Sequence, residues 1–209
     1  KIEMNREISL KDDLVSLLSI LKVLRSYKPD MCYLHSSKAG ALGRLACFFT
    51  RTKCVYNPHG WSFAMRTGYI KKLFYIFIEK SLSLLCSRII LISDAELSVA
   101  KDYNIAPESK LTTIYNGIDI DKFSNASPVD RKTILNSNEK DIVIGMAGRL
   151  TEQKDPLMFV RISAEILKVI KKAKFVLVGD GKLREKSLRL AEELGVLNNL
   201  VITGWVKNP

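Results

Sequence analysis

The chain has 209 residues, 47% of them hydrophobic, and carries 33 Lys and Arg against 22 Asp and Glu, a net charge of +11. That length suits one large domain or two small ones, and the apolar share excludes an intrinsically disordered chain. The basic excess leans toward the first half, where 17 basic and 10 acidic residues precede Asn116, and forms no single block. It suits an anionic partner (nucleotide diphosphate, lipid phosphate, membrane surface or nucleic acid) and equally a plain solvated basic surface. Cys32, Cys47, Cys54 and Cys86 make no C-x-x-C pair, and three of them lie in apolar runs. Reduced, buried thiols of a cytoplasmic protein account for them. With only His35 and His59 to add, a zinc site lacks ligands. The start at Lys1-Ile2-Glu3 has neither a signal-peptide core nor an initiator Met, so truncation or processing is expected.

Leu14, Leu17, Leu18, Leu21 and Leu24 recur every three or four residues and predict an amphipathic helix over 12–27, stopped by Lys28-Pro29-Asp30. A short apolar strand follows over 31–35. Ser36 or Ser37 is expected to cap a helix running to about residue 49. Residues 53–56 read as a strand and 57–68 as a polar loop rich in Gly and Pro. The apolar helix expected over 69–86 is interrupted by Lys71, Lys72, Glu79 and Lys80, which argues against a bilayer span. Packing on a sheet or lying on a membrane surface both suit it. A strand over 88–92, a helix over 94–103 and a strand over 111–115 complete the first stretch. The polar segment 124–140, with Pro128 and several Asn and Ser, reads as a linker of weak structure. Alternation then resumes: strand 142–146, helix 156–171 opening with Pro, strand 174–178, helix 183–194 ending at Gly195, strand 200–202. Short apolar strands alternating with helices predict parallel sheets covered on both faces. Two α/β units are expected, over 1–119 and 141–209, joined by 120–140.

Four clusters carry possible chemistry. Gly148-Arg149-Leu150, with Lys154 six residues past the Gly, follows a predicted strand directly. Ligands of parallel sheets bind beyond the carboxyl ends of strands. There Gly admits close backbone approach, Arg offers a planar fork for phosphate, and Lys adds a second charge. A surface turn with two solvated cations has the same spacing. His59-Gly60, in Asn57-Pro58-His59-Gly60-Trp61-Ser62-Phe63, puts a hydrogen-bonding and proton-shuttling group at a strand's end, with aromatics able to stack on a sugar or wall a cleft. A histidine satisfied by its own loop fits equally. Asn116-Gly117-Ile118-Asp119 favours a tight turn with positive φ. Val178-Gly179-Asp180-Gly181 runs a strand into a glycine turn and a helix whose N-terminus favours anions, without the G-x-G-x-x-G dinucleotide fingerprint.

In this order, and followed by Val201-Ile202-Thr203-Gly204-Trp205-Val206, these motifs resemble the family-4 retaining glycosyltransferases of GT-B architecture, two facing Rossmann-like domains. The segment His35-Ser36-Ser37-Lys38-Ala39-Gly40-Ala41-Leu42-Gly43-Arg44 is similar to bacterial members that build capsule, O-antigen or glycan precursors on a lipid carrier. The resemblance implies an acceptor-side domain over 1–119 and the first part of a donor-side domain over 141–209, both incomplete. It assigns Arg149 and Lys154 to the departing diphosphate and Gly148 to its close approach. It gives His59, beside Gly60, to the donor sugar, Asn116 to Asp119 to the domain crossover, and Gly204-Trp205 to the nucleobase pocket. It further implies a nucleoside-diphosphate sugar as donor, retention of configuration, no metal or other cofactor, and a lipid-linked or glycan acceptor. The expected location is cytoplasmic, at the inner face of an anionic membrane.

The sequence also departs from the family pattern. The glycine-rich loop of the family's first strand is absent, and its glutamate pair, two Glu separated by seven residues, would lie past Pro209. Glu185 and Glu193 have that spacing but sit ahead of the Gly204 strand, where they read as solvated helix residues. The chain by itself is therefore expected not to catalyse transfer. A GT-B sugar-nucleotide epimerase and a non-catalytic nucleotide-sugar-binding or partner subunit are the rival readings. Nucleic-acid binding is disfavoured, because the basic residues lack interleaved aromatics and a known binding motif.

Overall fold

The computed structural model describes residues 2, 4, 8–65, 68–125, 127, 132, 135, 137–138 and 141–206. The chain divides into two compact units, Lys1–Asp119 and Ile120–Pro209.

In the first unit, helices and strands alternate as α1 (Leu10–Tyr27), β1 (Met31–His35), α2 (Ser37–Thr50), β2 (Lys53–Asn57), α3 (Tyr69–Ser83), β3 (Arg88–Leu91), α4 (Asp94–Asp102) and β4 (Leu111–Thr113). Among the described residues the strands form one sheet in the order β1-β2-β3-β4, every pair parallel. Helix α1 starts ahead of its apolar period because Ser9 caps it. The Ser9 hydroxyl accepts from the Asp12 N–H at 3.4 Å, and the Asp13 carboxylate accepts from the Ser9 N–H at 3.2 Å. Ser36 holds the cap position of α2, but its side chain makes no cap hydrogen bond. Its backbone instead extends the sheet, donating to Asn57 O at 3.0 Å. Helix α3 ends at Ser83 rather than 86. Lys110 Nζ donates to Ser83 O and Cys86 O at 2.9 and 3.0 Å, covering carbonyls left open at the helix end.

Tyr56, Ile89, Leu91, Ala46 and Cys47 are fully enclosed in this unit's core. A polar network runs through the same core. Arg44 is 0% exposed, and its Nη2 donates to Glu79 Oε2 at 2.8 Å, its Nε to Gly40 O at 3.1 Å. The guanidinium carbon lies 3.9 Å from the Tyr56 ring centroid, and Tyr56 OH donates to Glu79 Oε1 at 3.0 Å. Gly40 permits this packing: a β-carbon there would fall 2.2 Å from Tyr56 Cε2. Burial, then the Glu79 carboxylate, push the Tyr56 phenol well above its ordinary range. The four cysteines are free thiols, Cys47, Cys54 and Cys86 buried and Cys32 half-buried. A hydrogen bond with Cys54, then burial, hold the Cys47 thiol far above its usual pKa.

The second unit contains α5 (Ile120–Ser124), β5 (Val143–Ala147), α6 (Pro156–Val169), β6 (Lys174–Val178), α7 (Arg184–Glu193) and β7 (Leu200–Gly204). Its strands are parallel in the order β5-β6-β7. Leu150, Val160, Phe175, Leu177 and Ala191 close its core, each 0% exposed. Asp155 caps α6, its Oδ1 accepting from the Met158 N–H at 3.1 Å, and Pro156 opens the first turn. Much of the expected linker over 124–140 lies outside the described residues. Ahead of it, at the start of the 120–140 segment expected to join the two units, Ile120–Ser124 is helical.

Removing one member of a buried ion pair strands the other charge, a loss of about 3–5 kcal/mol. Glu79→Ala is therefore expected to lower unfolding free energy by about that amount in urea titration. A change below about 1 kcal/mol would show that the Arg44 guanidinium finds another partner or water.

Candidate functional site

Both sheets gather their loops at the carboxyl ends of parallel strands. In the second unit three such loops come side by side: Gly148-Arg149 after β5, Gly179-Asp180-Gly181 after β6, and Trp205 after Gly204 closes β7. The first two are stitched together through the backbone. Gly148 N donates to Val178 O and Leu150 N to Asp180 O, both at 2.9 Å, and Leu183 N donates to Leu150 O at 3.0 Å. The stitching requires glycine. With φ at +137°, Gly179 sits so close to the neighbouring loop that a β-carbon would fall 2.1 Å from Gly148 O. One at Gly181 would fall 2.5 Å from Leu150 O.

Arg149 and Lys154 are exposed at this edge, and among the described residues neither pairs with a carboxylate. The Lys154 stem runs beside Gly148: a β-carbon on that glycine would meet Lys154 Cγ at 3.7 Å. A turn brings Lys154 back toward the strand end, its N–H donating to Thr151 O at 3.0 Å. Arg184 opens α7 at the same edge, with Nη1 3.6 Å from Asp180 Oδ2. The position of a β-carbon on Gly204 would lie 3.6 Å from Arg184 Nη1 and 3.9 Å from Asp180 Oδ2. Trp205 is 72% exposed beside them. Among the described residues this edge thus combines two cations without a carboxylate partner, a glycine-lined backbone and an exposed indole, groups whose chemistry suits a phosphate and a planar ring.

At the carboxyl edge of the first unit, His59 has a left-handed backbone, φ 51°, that costs a non-glycine residue about 1–2 kcal/mol. Asn57 holds it there, its Oδ1 accepting from the His59 N–H at 3.0 Å. The His59 ring meets His35, the last residue of β1, with Nε2 and Nδ1 2.7 Å apart. Gly60 follows, exposed, with φ 103°. The aromatics beside it do not face a ligand, contrary to expectation. Trp61 and Phe63 are 3% and 1% exposed, stack at 5.3 Å, and belong to the core. The Trp61 indole N–H is used within that core, donating to Glu96 O at 3.0 Å.

Residues 6–122 match the Glycosyltransferase Family 4 domain, and residues 130–209 match Glycosyl transferases group 1. The chain belongs to the family-4 glycosyltransferases. Over 207 residues it is 32% identical to the UDP-Gal:alpha-D-GlcNAc-diphosphoundecaprenol alpha-1,3-galactosyltransferase of Escherichia coli, covering 96% of this chain and 53% of that protein. It is 27% identical over 198 residues to the O-antigen biosynthesis glycosyltransferase WbnH of Escherichia coli, covering 94% and 52%. The crystal structure of Anabaena HepE in complex with UDP and glucose superposes with a TM-score of 0.77 at 20% identity, over 97% of this chain and 55% of that one. The chain thus spans about half the length of the curated relatives it matches. The α/β architecture, two Rossmann-like parallel-sheet units of GT-B type, agrees with this membership.

In this family-4 glycosyltransferase the sequence-predicted residues fall on two edges. Gly148, Arg149, Lys154, Gly204 and Trp205 share the carboxyl edge of the second sheet; His59 and Gly60 lie at that of the first. Asn116 to Asp119 close the first unit without regular structure, and neither Asn116 nor Gly117 takes a positive φ, so the expected tight turn is absent. Glu185 and Glu193 are exposed on α7, as their context implied. Sequence reasoning missed Arg184, His35 and Asn57. For Arg184 a signal existed: it follows the Val178-Gly179-Asp180-Gly181 turn directly enough to open the next helix.

Gly179→Ala tests the stitched edge. The collision with Gly148 O and the strained φ are expected to destabilise the chain by about 2 kcal/mol or more. Thermal unfolding indistinguishable from wild type would show that the two loops separate freely.

Proposed function

We propose that this glycosyltransferase serves retaining transfer of a sugar from a nucleoside-diphosphate sugar to a lipid-linked or glycan acceptor in surface-polysaccharide biosynthesis. The observation that carries the proposal is the second unit's carboxyl edge, where Arg149 and Lys154 stand beside a glycine-lined backbone with no carboxylate partner among the described residues. As the bond from the sugar's anomeric carbon to the diphosphate breaks, negative charge grows on the leaving oxygen. Fixed cations stabilise it most in that state, so they accelerate the step rather than only tightening binding. Arg149 supplies a planar fork and Lys154 a compact charge, in place of a metal. Gly148 admits the diphosphate, Gly204 and Trp205 flank the base, and His59 beside Gly60 serves the transferred sugar. The kinship with a galactosyltransferase acting on a diphosphoundecaprenol-linked sugar supports the choice of acceptor class. Belonging to the group 1 glycosyl transferases favours transfer over epimerisation.

Two charge-assisted contacts contribute about 1.5–3 kcal/mol each, short of the roughly 8 kcal/mol of micromolar affinity once association entropy is counted. The 209-residue chain alone therefore binds nucleotide sugar weakly and does not complete transfer. In the full-length enzyme the Arg149→Ala, Lys154→Ala double variant is expected to lower kcat by about a hundredfold or more. Turnover like wild type would remove the diphosphate role.

The location proposed is the inner face of the cytoplasmic membrane, reached from the cytoplasm. Helix α3 packs inward through Ile76, Glu79 and Ser83, while Tyr69, Ile70, Phe74 and Phe77 are exposed alongside Lys71 and Lys80. An apolar face bordered by cations suits an anionic lipid surface. Among the described residues no helix is long and apolar enough to cross a membrane. Co-sedimentation with anionic liposomes, weakening as salt rises, is the expected result. Absence of binding, or indifference to salt, would contradict it.

A further inference from the structure

The two histidines of the chain, 24 residues apart, meet at the carboxyl ends of adjacent strands. His35 closes β1 directly opposite Asn57 of β2, and two residues beyond Asn57 the chain turns His59 back over β1. The rings lie nearly parallel, 16° apart, with His35 Nδ1 2.7 Å from His59 Nε2. Two more residues complete a closed circuit. The Tyr33 ring lies 4.1 Å from that of His35, and the Tyr33 hydroxyl accepts from Asn57 Nδ2 at 3.0 Å. Asn57 Oδ1 in turn accepts from the His59 backbone N–H. Asn57 is buried, whereas both histidines are exposed. The circuit therefore has a buried amide as its anchor and presents imidazole edges outward.

We propose that His35 is a positioning residue that fixes the ring orientation and the tautomer of His59. The inference rests on the reading of His59 as the group serving the transferred sugar. A neutral imidazole carries one donor nitrogen and one acceptor nitrogen. The short contact therefore makes one ring the donor and the other the acceptor. Whichever role His35 Nδ1 takes, His59 Nε2 takes the complementary one, and the character of His59 Nδ1, the nitrogen left for a ligand, follows from it. The backbone contact from Asn57 fixes where the His59 main chain turns. The side-chain contact from His35 fixes which way its ring faces. Neither alone defines the group. A histidine that must meet a sugar hydroxyl in one orientation needs both, because a free ring flips between rotamers and exchanges tautomers in water.

The test uses long-range proton–nitrogen NMR of the imidazole rings, which distinguishes the two neutral tautomers. With two histidines in the chain, removing His35 leaves His59 as the single ring signal. In the wild-type chain His59 is expected in one tautomer. In His35→Leu its two ring nitrogens move toward the averaged shifts of an exchanging imidazole. In His35→Asn, whose amide stands near the place of Nδ1, a single tautomer returns. His59 shifts in His35→Leu that match wild type would overturn the proposal. In the full-length enzyme His35→Leu is expected to lower kcat about tenfold, on the scale of weakening one oriented group, with KM for the nucleotide sugar unchanged. An equal loss in kcat for His35→Asn and His35→Leu would also overturn it. If His59→Ala leaves transfer intact while the tautomer shift is observed, the sugar-contact reading fails and the positioning of the ring stands.

Discussion

Each strand in either sheet runs parallel to its neighbours, and a parallel pair cannot be closed by a hairpin. Every connection must cross back over a face of the sheet, mostly as a helix, so the loops that leave the strands all emerge at one edge. This constraint assembles the chemistry. Arg149 and Lys154 leave β5, Gly179 to Gly181 leave β6, and Gly204-Trp205 leave β7, distant in sequence and adjacent in space. In the first unit the same geometry brings His35 and His59 together.

The two edges are held by different means. The second unit uses backbone: glycines without side chains let neighbouring loops approach until amide meets carbonyl. That leaves little side-chain bulk between the loops, with the exposed Arg149 and Lys154 beside them. The first unit uses side chains. Behind its strands the buried Arg44, Glu79 and Tyr56 tie α2, β2 and α3 into one body. At its edge Asn57 and Tyr33 hold the histidine pair. A buried ion pair gives little net stability against an apolar equivalent, yet breaking it is costly. Here it fixes α2 and α3 in relation to β2, the strand that carries Asn57 and leads to His59.

Much of this was legible in the sequence where local chemistry decides structure. The β6 strand, Lys174–Val178, and the Pro156 start of α6 match their predicted limits because an apolar run and a first-turn proline act locally. The glycines of the second edge were legible as turns after strands. What sequence could not reveal depended on partners far along the chain. The early end of helix α3 is covered by Lys110, 27 residues past Ser83. Glu79, which reads as a polar interruption of an apolar helix, is buried because Arg44 lies 35 residues before it. Trp61 and Phe63 look like ligand-stacking aromatics beside a histidine, yet α4 supplies the Glu96 carbonyl that takes the indole into the core. The pairing of His35 with His59 follows from the register of β1 on β2, which no local pattern encodes.

The central claim is that a nucleoside diphosphate binds the carboxyl edge of the second sheet. Titrating UDP into the isotopically labelled chain, followed by backbone amide shifts, tests it most directly, since millimolar affinity suffices for the readout. Saturable shifts concentrated at Gly148, Arg149, Gly179, Gly181 and Gly204, and lost in Arg149→Ala, Lys154→Ala, are the predicted result. Shifts confined to other surfaces, or unchanged by that double substitution, would contradict it.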